Sequence, residues 1–431
     1  MKTDRLLNRH RRWLSEFGLM VLLLTIISFT TPGASPLLAG EEILIDGIVH
    51  VRNGTEPSDG EVTLTLEEKW RVGGEDDDIF FGAIGQVLAD DEGNFYFLDT
   101  QLAEIKVYSP DGQYLTTLSR EGDGPGETRR PGDMLFLPDG SLGIVQGFPG
   151  KIVKIGRDGT PAGSINLTGT DQAENRFGVL SVAMTGGGNI YLVGFNMNFN
   201  QQTGSMNQTL YLSRCDNEGK ELNCYLSKEY PITYGDFVMQ ESGIDFIWFG
   251  RVAVDRDGKV YLAPERNEYA IQVLLPDGSV DRIIEREYKS YQRSDQDKAD
   301  YKPTLVAIGR NYPVPPRDVE LLDSAADILG MQITPDGKLW VSSSQDVMHL
   351  PDGIMAVVDE FDADGHYLHK VRVVGPADPR RDNMYFPTAG RVVVVTGALD
   401  AYQSMQGVSS GDADATDEPA PLEIVCFDIV Q

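Results

Sequence analysis

The sequence is poor in the cysteine and histidine that zinc sites use and in the basic side chains that nucleic-acid-binding surfaces use. Its 431 residues include only three cysteines, whose spacing gives no zinc site. Lysine and arginine together number 37 against 66 aspartate and glutamate, for a net charge of −29. Such an acidic surface repels phosphate groups, which excludes nucleic acid and anionic membrane surfaces as partners.

Long apolar runs are also scarce, and the one that resembles a targeting signal lies in residues 1–40. Five basic side chains precede the apolar run Leu19–Phe29, and small residues follow it. This order predicts a secretory signal peptide cut after Ala39 or Gly40, with an uncleaved membrane anchor as the alternative. Residues 30–40, which directly follow the run, contain no cysteine, so a lipoprotein signal is excluded. We therefore expect a periplasmic or extracellular protein that meets a membrane only through this segment, if it is uncut.

The chain is rich in short alternating strands joined by turns that end in glycine. The segment Val87–Gly126 contains four such strands with turns ending at Gly93 and Gly112, which is typical of a four-stranded antiparallel meander. One sheet of this kind cannot bury both of its faces, so it needs copies of itself. The first turn recurs in five further units, at Gly140, Gly188, Gly258, Gly337 and Gly390. The second turn recurs in units two to five, at Gly159, Gly219, Gly278 and Gly365.

The sixth unit lacks the second turn and a fourth strand of its own. Its segment Cys426–Gln431 aligns with the third strand of unit one, whereas the early segment Glu61–Gly74 has the pattern of a fourth strand. An unpaired sheet edge is unfavourable, and pairing these two segments would remove it. The sequence therefore predicts an all-β fold, a six-bladed β-propeller over residues 62–431 whose N-terminal strand completes the last blade. Residues 41–61 form an N-terminal extension.

Two motifs resemble a known family. The pattern from Asp90 through Tyr108 to Gly112 resembles the NHL repeat, and Gly122–Glu127 is similar to the GxGPGE signature of exported bacterial six-bladed propellers of the TolB-like and NHL-like group. The resemblance covers roughly residues 60–431 and implies the fold. It implies no activity, because functions in the group are mostly unassigned and propellers in general host unrelated ones.

Two stretches depart from the repeat, and one pair of cysteines stands out. Residues 288–329 insert a helical and loop segment between units four and five, with a short helix expected over 295–301. The acidic stretch 407–421 predicts a mobile hairpin loop in the last unit. Cys215 and Cys224 flank a predicted hairpin turn and are a disulfide candidate, although a slip of one residue in register would turn their side chains to opposite faces.

Several motif matches lack the context that their chemistry requires. Gly122–Glu127 resembles GxGxxG only superficially, and a strand rather than a helix follows, so a dinucleotide loop is excluded. The loops that start at Asp255 and Asp362 resemble calcium loops, yet neither has an acidic residue at the twelfth position. No histidine lies in a predicted first strand, where metal-dependent propeller lyases need one. The sequence therefore predicts no metal site and no cofactor.

The loops at the mouth of the predicted channel remain as the candidate site. Ligands commonly bind there in propellers, because side chains from all blades converge. Arginine and aromatic side chains on such a rim are typical recognition anchors, and the candidates are Arg129, Arg130, Trp248, Arg251 and Tyr312. Packing between blades is the alternative for Trp248.

The sequence therefore favours a non-enzymatic module at the cell envelope that binds a protein, peptide or glycan. The alternative is a metal-dependent hydrolase or lyase, similar to lactonase-type propellers, with a divalent ion such as Ca²⁺ in the central channel.

Overall fold

A computed structural model describes residues 40–75, 77–167, 176–200, 202–233, 236–243, 250–310, 312, 314–405 and 421–430. All of them belong to the compact unit Ala39–Gln431, whereas the other unit, Met1–Leu38, lies outside the described residues. The predicted signal peptide is therefore outside the description except for Gly40. Within the described part of the chain, no helix has the length and apolar character needed to cross a bilayer.

The N-terminal segment forms three strands. An antiparallel hairpin consists of β1 (Glu41–Ile45) and β2 (Ile48–Asn53), and the long strand β3 (Glu61–Gly73) follows. The predicted N-terminal extension is thus regular structure. The sequence analysis did not identify the hairpin because it does not follow the repeat.

Units one to three are four-stranded antiparallel sheets in chain order. Unit one contains β4 (Ile84–Ala89), β5 (Phe95–Asp99), β6 (Glu104–Tyr108) and β7 (Tyr114–Leu118). Unit two contains β8 (Pro131–Phe136), β9 (Leu142–Gln146), β10 (Lys151–Ile155) and β11 (Pro161–Asn166). Unit three contains the longer strands β12 (Arg176–Gly186), β13 (Asn189–Asn200), β14 (Ser205–Cys215) and β15 (Glu221–Thr233).

Units four to six carry the insertions. After β16 (Val238–Gln240), unit four contains β17 (Val252–Val254), β18 (Val260–Leu262), β19 (Ala270–Leu274) and β20 (Val280–Arg286). The insertion holds helix α1 (Asp295–Gly309) and β21 (Asp318–Glu320). Unit five contains β22 (Ile328–Ile333), β23 (Leu339–Ser343), α2 (Ser344–Met348), β24 (Ile354–Phe361) and β25 (Tyr367–Val374). Unit six contains β26 (Asn383–Thr388), β27 (Arg391–Thr396), α3 (Ala398–Met405) and β28 (Glu423–Val430).

The first strands of successive units contact one another in chain order. Strand β26 contacts β4, and the series continues through β8, β12 and β17 to β22. Buried apolar side chains fill the space between neighbouring sheets, as between units one and two, where Leu98, Ile105, Met134 and Ile144 pack together. Meander sheets stacked in sequence with their first strands innermost form a β-propeller.

Strand β3 joins the beginning of the propeller to its end. Its second half pairs antiparallel with β28, from Ile424 opposite Val72 to Val430 opposite Thr65. This is the pairing that the sequence predicted between residues 62–72 and 424–430. The first half of β3 also pairs in parallel with β25 of unit five, and β2 pairs in parallel with β20 of unit four. The N-terminal segment therefore binds three consecutive units, two more than predicted.

A repeated contact seals the interfaces between units. The glycine of each second turn has a positive φ of 80–90° and packs against a fourth-strand side chain of the preceding unit. A Cβ on any of these glycines would come within 2.5–3.3 Å of that side chain, so glycine is required for the close approach. The pairs are Trp70–Gly112, Leu118–Gly159, Ile165–Gly219, Asn223–Gly278 and Ile284–Gly365. Unit six has no second turn, because its fourth strand is β3.

Two predictions need correction and one falls outside the description. Cys215 and Cys224 are free thiols, contrary to the disulfide candidate. A bulge between β14 and β15 places Cys224 opposite Ser213 and Cys215 opposite Glu221, which leaves Cys215 buried and Cys224 exposed. Helix α1 continues to Gly309 rather than ending at 301, because its last turns bury Leu305 and Ile308. Most of the predicted acidic loop, residues 407–420, lies outside the described residues.

Candidate binding face

The long loops of the propeller all lie at one end. Because strands of a meander alternate in direction, the loop between the second and third strands and the loop leading to the next unit share an end. We call this the loop end. The glycine-ended turns occupy the opposite end. The glycine-ended turns are similar from unit to unit, whereas the loops at the loop end vary in length and sequence. Binding residues are expected in such variable loops.

The strands of unit three extend beyond those of its neighbours at the loop end. Together with α1, β16 and β21 these extensions form a projection that we call the rim. Strands β12–β15 have 11–13 residues, about twice the length of their counterparts in units one and two. Helix α1 and the parallel pair β16–β21 pack against their extensions. The rim has its own apolar cluster, which includes Met197, Met206, Ile232, Phe237, Met239, Leu305, Ile308 and Val319.

A buried ion-pair network ties the rim to unit four. The carboxylate of Glu241 is 1% exposed and accepts hydrogen bonds from Arg293 at 2.7 and 2.8 Å, Arg266 at 2.8 Å and the Leu322 amide at 3.1 Å. Burial alone would raise the pKa of Glu241, but the bonds from Arg293 and the charge of Arg266 outweigh it, so the pKa is lowered. The charge is thus retained and holds three loops together.

Helix α1 begins where this network ends. Ser294 caps the helix, since its hydroxyl accepts from the Asp297 amide while Asp297 accepts from the Ser294 amide. The guanidinium of Arg293 lies 4.9 Å from the ring centre of Tyr301. The insertion is therefore fixed at its start by a cap, a cation–π contact and the Glu241 ion pair.

Asp133 joins the first strands of three units near the loop end. Its carboxylate accepts from Gln86 at 3.0 Å, from the Met134 amide at 2.8 Å and from the Ala183 amide at 3.1 Å. Burial raises the pKa of Asp133 to about 6, although these hydrogen bonds oppose the rise. With three donors already bound, its role is to brace the innermost strands.

Four of the five predicted site residues lie in the described part of the chain, and they occupy different parts of this end. Arg129 and Arg130 are exposed, and Arg129 forms a two-point ion pair with Asp123 at 2.9 Å. Arg251 is 3% exposed and donates to the Glu265 carbonyl at 3.2 Å. It is therefore buried between loops rather than presented on the surface. Tyr312 donates to Gln208 at 3.1 Å and packs against Phe237 within the rim. Trp248 lies outside the described residues.

Arg129 adjoins a loop that the sequence analysis missed. The Arg129 amide donates to the side-chain oxygen of Gln146 at 3.1 Å, and the Gln146 amide group donates to the carbonyl of Phe148. Gln146 is 4% exposed, whereas Phe148 is 52% exposed. Gln146 therefore links the backbone of Arg129 to the loop that exposes the Phe148 ring.

Five of the ten large apolar side chains that are exposed among the described residues lie at the loop end, and the other five lie in strands. Loops leading into first strands, or joining second and third strands, carry Phe80, Phe148, Val314, Val347 and Met405, all at least 38% exposed. None of the described glycine-ended turns carries a large exposed apolar residue. The sequence offered one usable signal, apolar residues inside loops, but it did not show which loops share an end until the strands were placed.

Among the described residues, no three His, Cys, Asp or Glu side chains are grouped so as to hold a metal ion. The predicted enzyme alternative would require such a group in the central channel.

Comparisons with known proteins assign the chain to no family. No family model matches the sequence, and no curated protein matches it. Among solved structures, a protein described as exported, from Bacteroides fragilis, matches with a TM-score of 0.47 at 10% identity, covering 88% of this chain and all of that chain.

Two further solved structures are similar at the same level. A calcium-binding protein, regucalcin, from Agrobacterium tumefaciens has a TM-score of 0.41 at 12% identity and covers 85% of this chain and 96% of its own. Virginiamycin B lyase from Staphylococcus aureus has a TM-score of 0.38 at 12% identity and covers 77% and 85%. At these identities and scores the likenesses carry no information on activity.

Proposed function

We propose that this chain is an exported six-bladed β-propeller of the NHL-like and TolB-like group that binds a protein or peptide partner at the bacterial cell envelope. Six repeated units, contacts between successive first strands and the pairing of β3 with β28 support the blade count. A glycan is the other ligand class that the sequence favours, but exposed apolar side chains suit a protein surface better.

The observation that carries the proposal is the exposed apolar set at the loop end. Phe80 is 58% exposed and Phe148 is 52% exposed, with Val347, Met405 and Val314 at 41, 38 and 38%. A contiguous exposed apolar patch is unfavourable in water unless a partner covers it, and the proposal is that these side chains form one such patch. Arg129, which adjoins the Phe148 loop, and Arg130 supply the polar part of the proposed contact.

The test compares capture of partners from an envelope extract by three forms of the protein. Wild type and a Tyr114→Ser/Leu115→Ser control, altered on the outer strand of unit one, are expected to retain the same partner. A Phe80→Ser/Phe148→Ser variant is expected to lose it. Equal capture by all three forms, with equal melting temperatures, would contradict the proposed face.

The metal-dependent hydrolase or lyase stays a prediction from the sequence. Metal analysis of the purified protein, together with its melting temperature in Ca²⁺ and in EDTA, tests it. A stoichiometric divalent ion whose removal lowers the melting temperature would favour the enzyme over the binding module.

A further inference from the structure

A groove of about 300 Å³ lies between units five and six, apart from the loop end. One side consists of the first half of β3 and the facing strands of unit five. The other side consists of the ends of β26 and β28. Its apolar lining comprises Val62, Leu64, Trp340, Val371, Phe386 and Ile429.

The groove exists because unit six has no second turn. At the other interfaces described above, a glycine-ended turn packs against the fourth strand of the preceding unit. Between units five and six that place is open, since β28 and β3 are not joined by a turn. The groove is therefore a consequence of how the propeller closes, and its volume falls at the lower end of the range for ligand pockets.

A buried carboxylate forms part of the groove lining. Glu360 is 6% exposed and accepts from Lys338 at 2.8 Å, from the Trp340 indole at 2.9 Å and from His369 Nδ1 at 2.9 Å. Burial would raise the pKa of Glu360, but Lys338, Trp340 and His369 outweigh burial and lower it, so the carboxylate stays charged. These bonds also fix the Trp340 ring along the groove.

The charges around the groove favour a cation. Asp336, 56% exposed, lies 3.9 Å from Lys338, so one ammonium group faces the two carboxylates of Asp336 and Glu360. The whole chain carries a net charge of −29, which attracts cations and repels anions. Lys338, Asp336 and Glu360 together give the lining one net negative charge, and the carboxylate exposed at the edge of the groove is that of Asp336.

The aromatic lining favours a flat apolar group beside that cation. The rings of Trp340 and Phe386 are 5.0 Å apart in an edge-to-face arrangement. A ring that enters the groove gains contacts with Trp340, Val62 and Leu64 on one side and with Phe386 on the other. A cation held over the indole gains a further cation–π contribution.

We infer that the groove binds a small amine, consisting of an aromatic or branched apolar body and a positively charged head placed beside the exposed carboxylate of Asp336. This site is independent of the proposed loop-end contact. It would give the protein a small-molecule ligand in addition to its partner.

The experiment measures binding of phenethylamine to the full chain by isothermal titration calorimetry, with 3-phenylpropionate as the anion of the same body. The amine is expected to bind at least about tenfold more tightly than the acid. Ala389→Trp places a ring in the groove from an exposed turn position, and it should weaken amine binding by about tenfold or more. Asp336→Asn should weaken it by severalfold.

The matched control is Asp139→Asn, because Asp139 holds the equivalent position in the first turn of unit two and should leave binding unchanged. Melting temperatures verify that each variant is folded. The inference is overturned if phenethylamine does not bind at millimolar concentration, if the acid binds equally well, or if Ala389→Trp binds the amine like wild type. None of these outcomes bears on the loop-end proposal.

Discussion

Asn53 and Tyr367, which are 314 residues apart in the sequence, are joined by a 2.9 Å hydrogen bond from the Tyr367 amide to the Asn53 side-chain oxygen. The Asn53 amide group donates in turn to the carbonyls of Glu285 and Gly365, each at 3.0 Å. One buried side chain of the N-terminal segment therefore links the outer strand of unit four to the second turn of unit five.

Asn53→Ala is expected to lower the free energy of unfolding by about 3 kcal/mol, because it leaves buried backbone groups of two units without partners. Chemical denaturation measures the loss. The control is Asn189→Ala, which removes a single hydrogen bond to Gly187 in an exposed turn and should cost less than about 1 kcal/mol. Similar losses for the two variants would show that Asn53 does not hold the units together.

One second-turn glycine, Gly112, and one first-turn glycine, Gly140, give a prediction with a built-in comparison. Gly112 and Gly140 have φ values of +80° and +83°, so alanine at either position carries a conformational cost of about 1 kcal/mol. A Cβ on Gly112 would lie 2.7 Å from the Trp70 ring, whereas a Cβ on Gly140 meets nothing within 4 Å. Gly112→Ala should therefore be more destabilising than Gly140→Ala by about 1–3 kcal/mol in chemical denaturation. Equal costs would mean that the Trp70 contact is not tight.

The repeat made the propeller units predictable, because the glycine-ended turns and alternating strands are local signals. The pairing of Val72 with Ile424 was predictable for the same reason, since one unit had three strands and a spare strand preceded unit one. The pairings of β2 with β20 and of β3 with β25 could not be predicted. Parallel pairing with the outer strand of a sheet has no local signal in the sequence.

The sequence could predict at which end of the propeller the candidate site lies, but not which loop residues are exposed there. Arg251 and Phe148 both lie in loops, but one is 3% and the other 52% exposed. Exposure depends on which neighbouring unit covers a loop, and this is decided by packing over long distances in the sequence. The ion pair between Arg293 and the buried Glu241 could not be predicted for the same reason, since 52 residues separate them in the sequence.

Asp133 predicts a pH dependence of stability. Its pKa is about 6 in the folded protein against 3.8 as the ordinary value, so the folded state binds a proton that the unfolded state has released. The stabilisation from this group is complete below pH 3.8 and is lost as the pH rises through 6. The free energy of unfolding should therefore fall by about 1–2 kcal/mol between pH 5 and pH 7 on account of Asp133.

Chemical denaturation at the two pH values measures this change. Asp133→Asn removes the titrating group and keeps the size of the side chain, so the variant should lose that share of the pH dependence. The same slope in both proteins would show that the carboxyl group titrates normally.

The Glu241 network predicts how firmly the rim is held. Glu241→Ala would leave the guanidinium groups of Arg266 and Arg293 buried without their counter-charge, and removing one partner of a buried ion pair typically costs about 3–5 kcal/mol. The insertion should then open locally, so that limited proteolysis cuts within residues 288–329 faster than in wild type. Asp236→Ala breaks the Arg317 pair, in which both side chains are 69% exposed, and should change neither stability nor cleavage by a measurable amount. If Glu241→Ala is cut no faster than Asp236→Ala, the rim must be held by its apolar cluster rather than by this network.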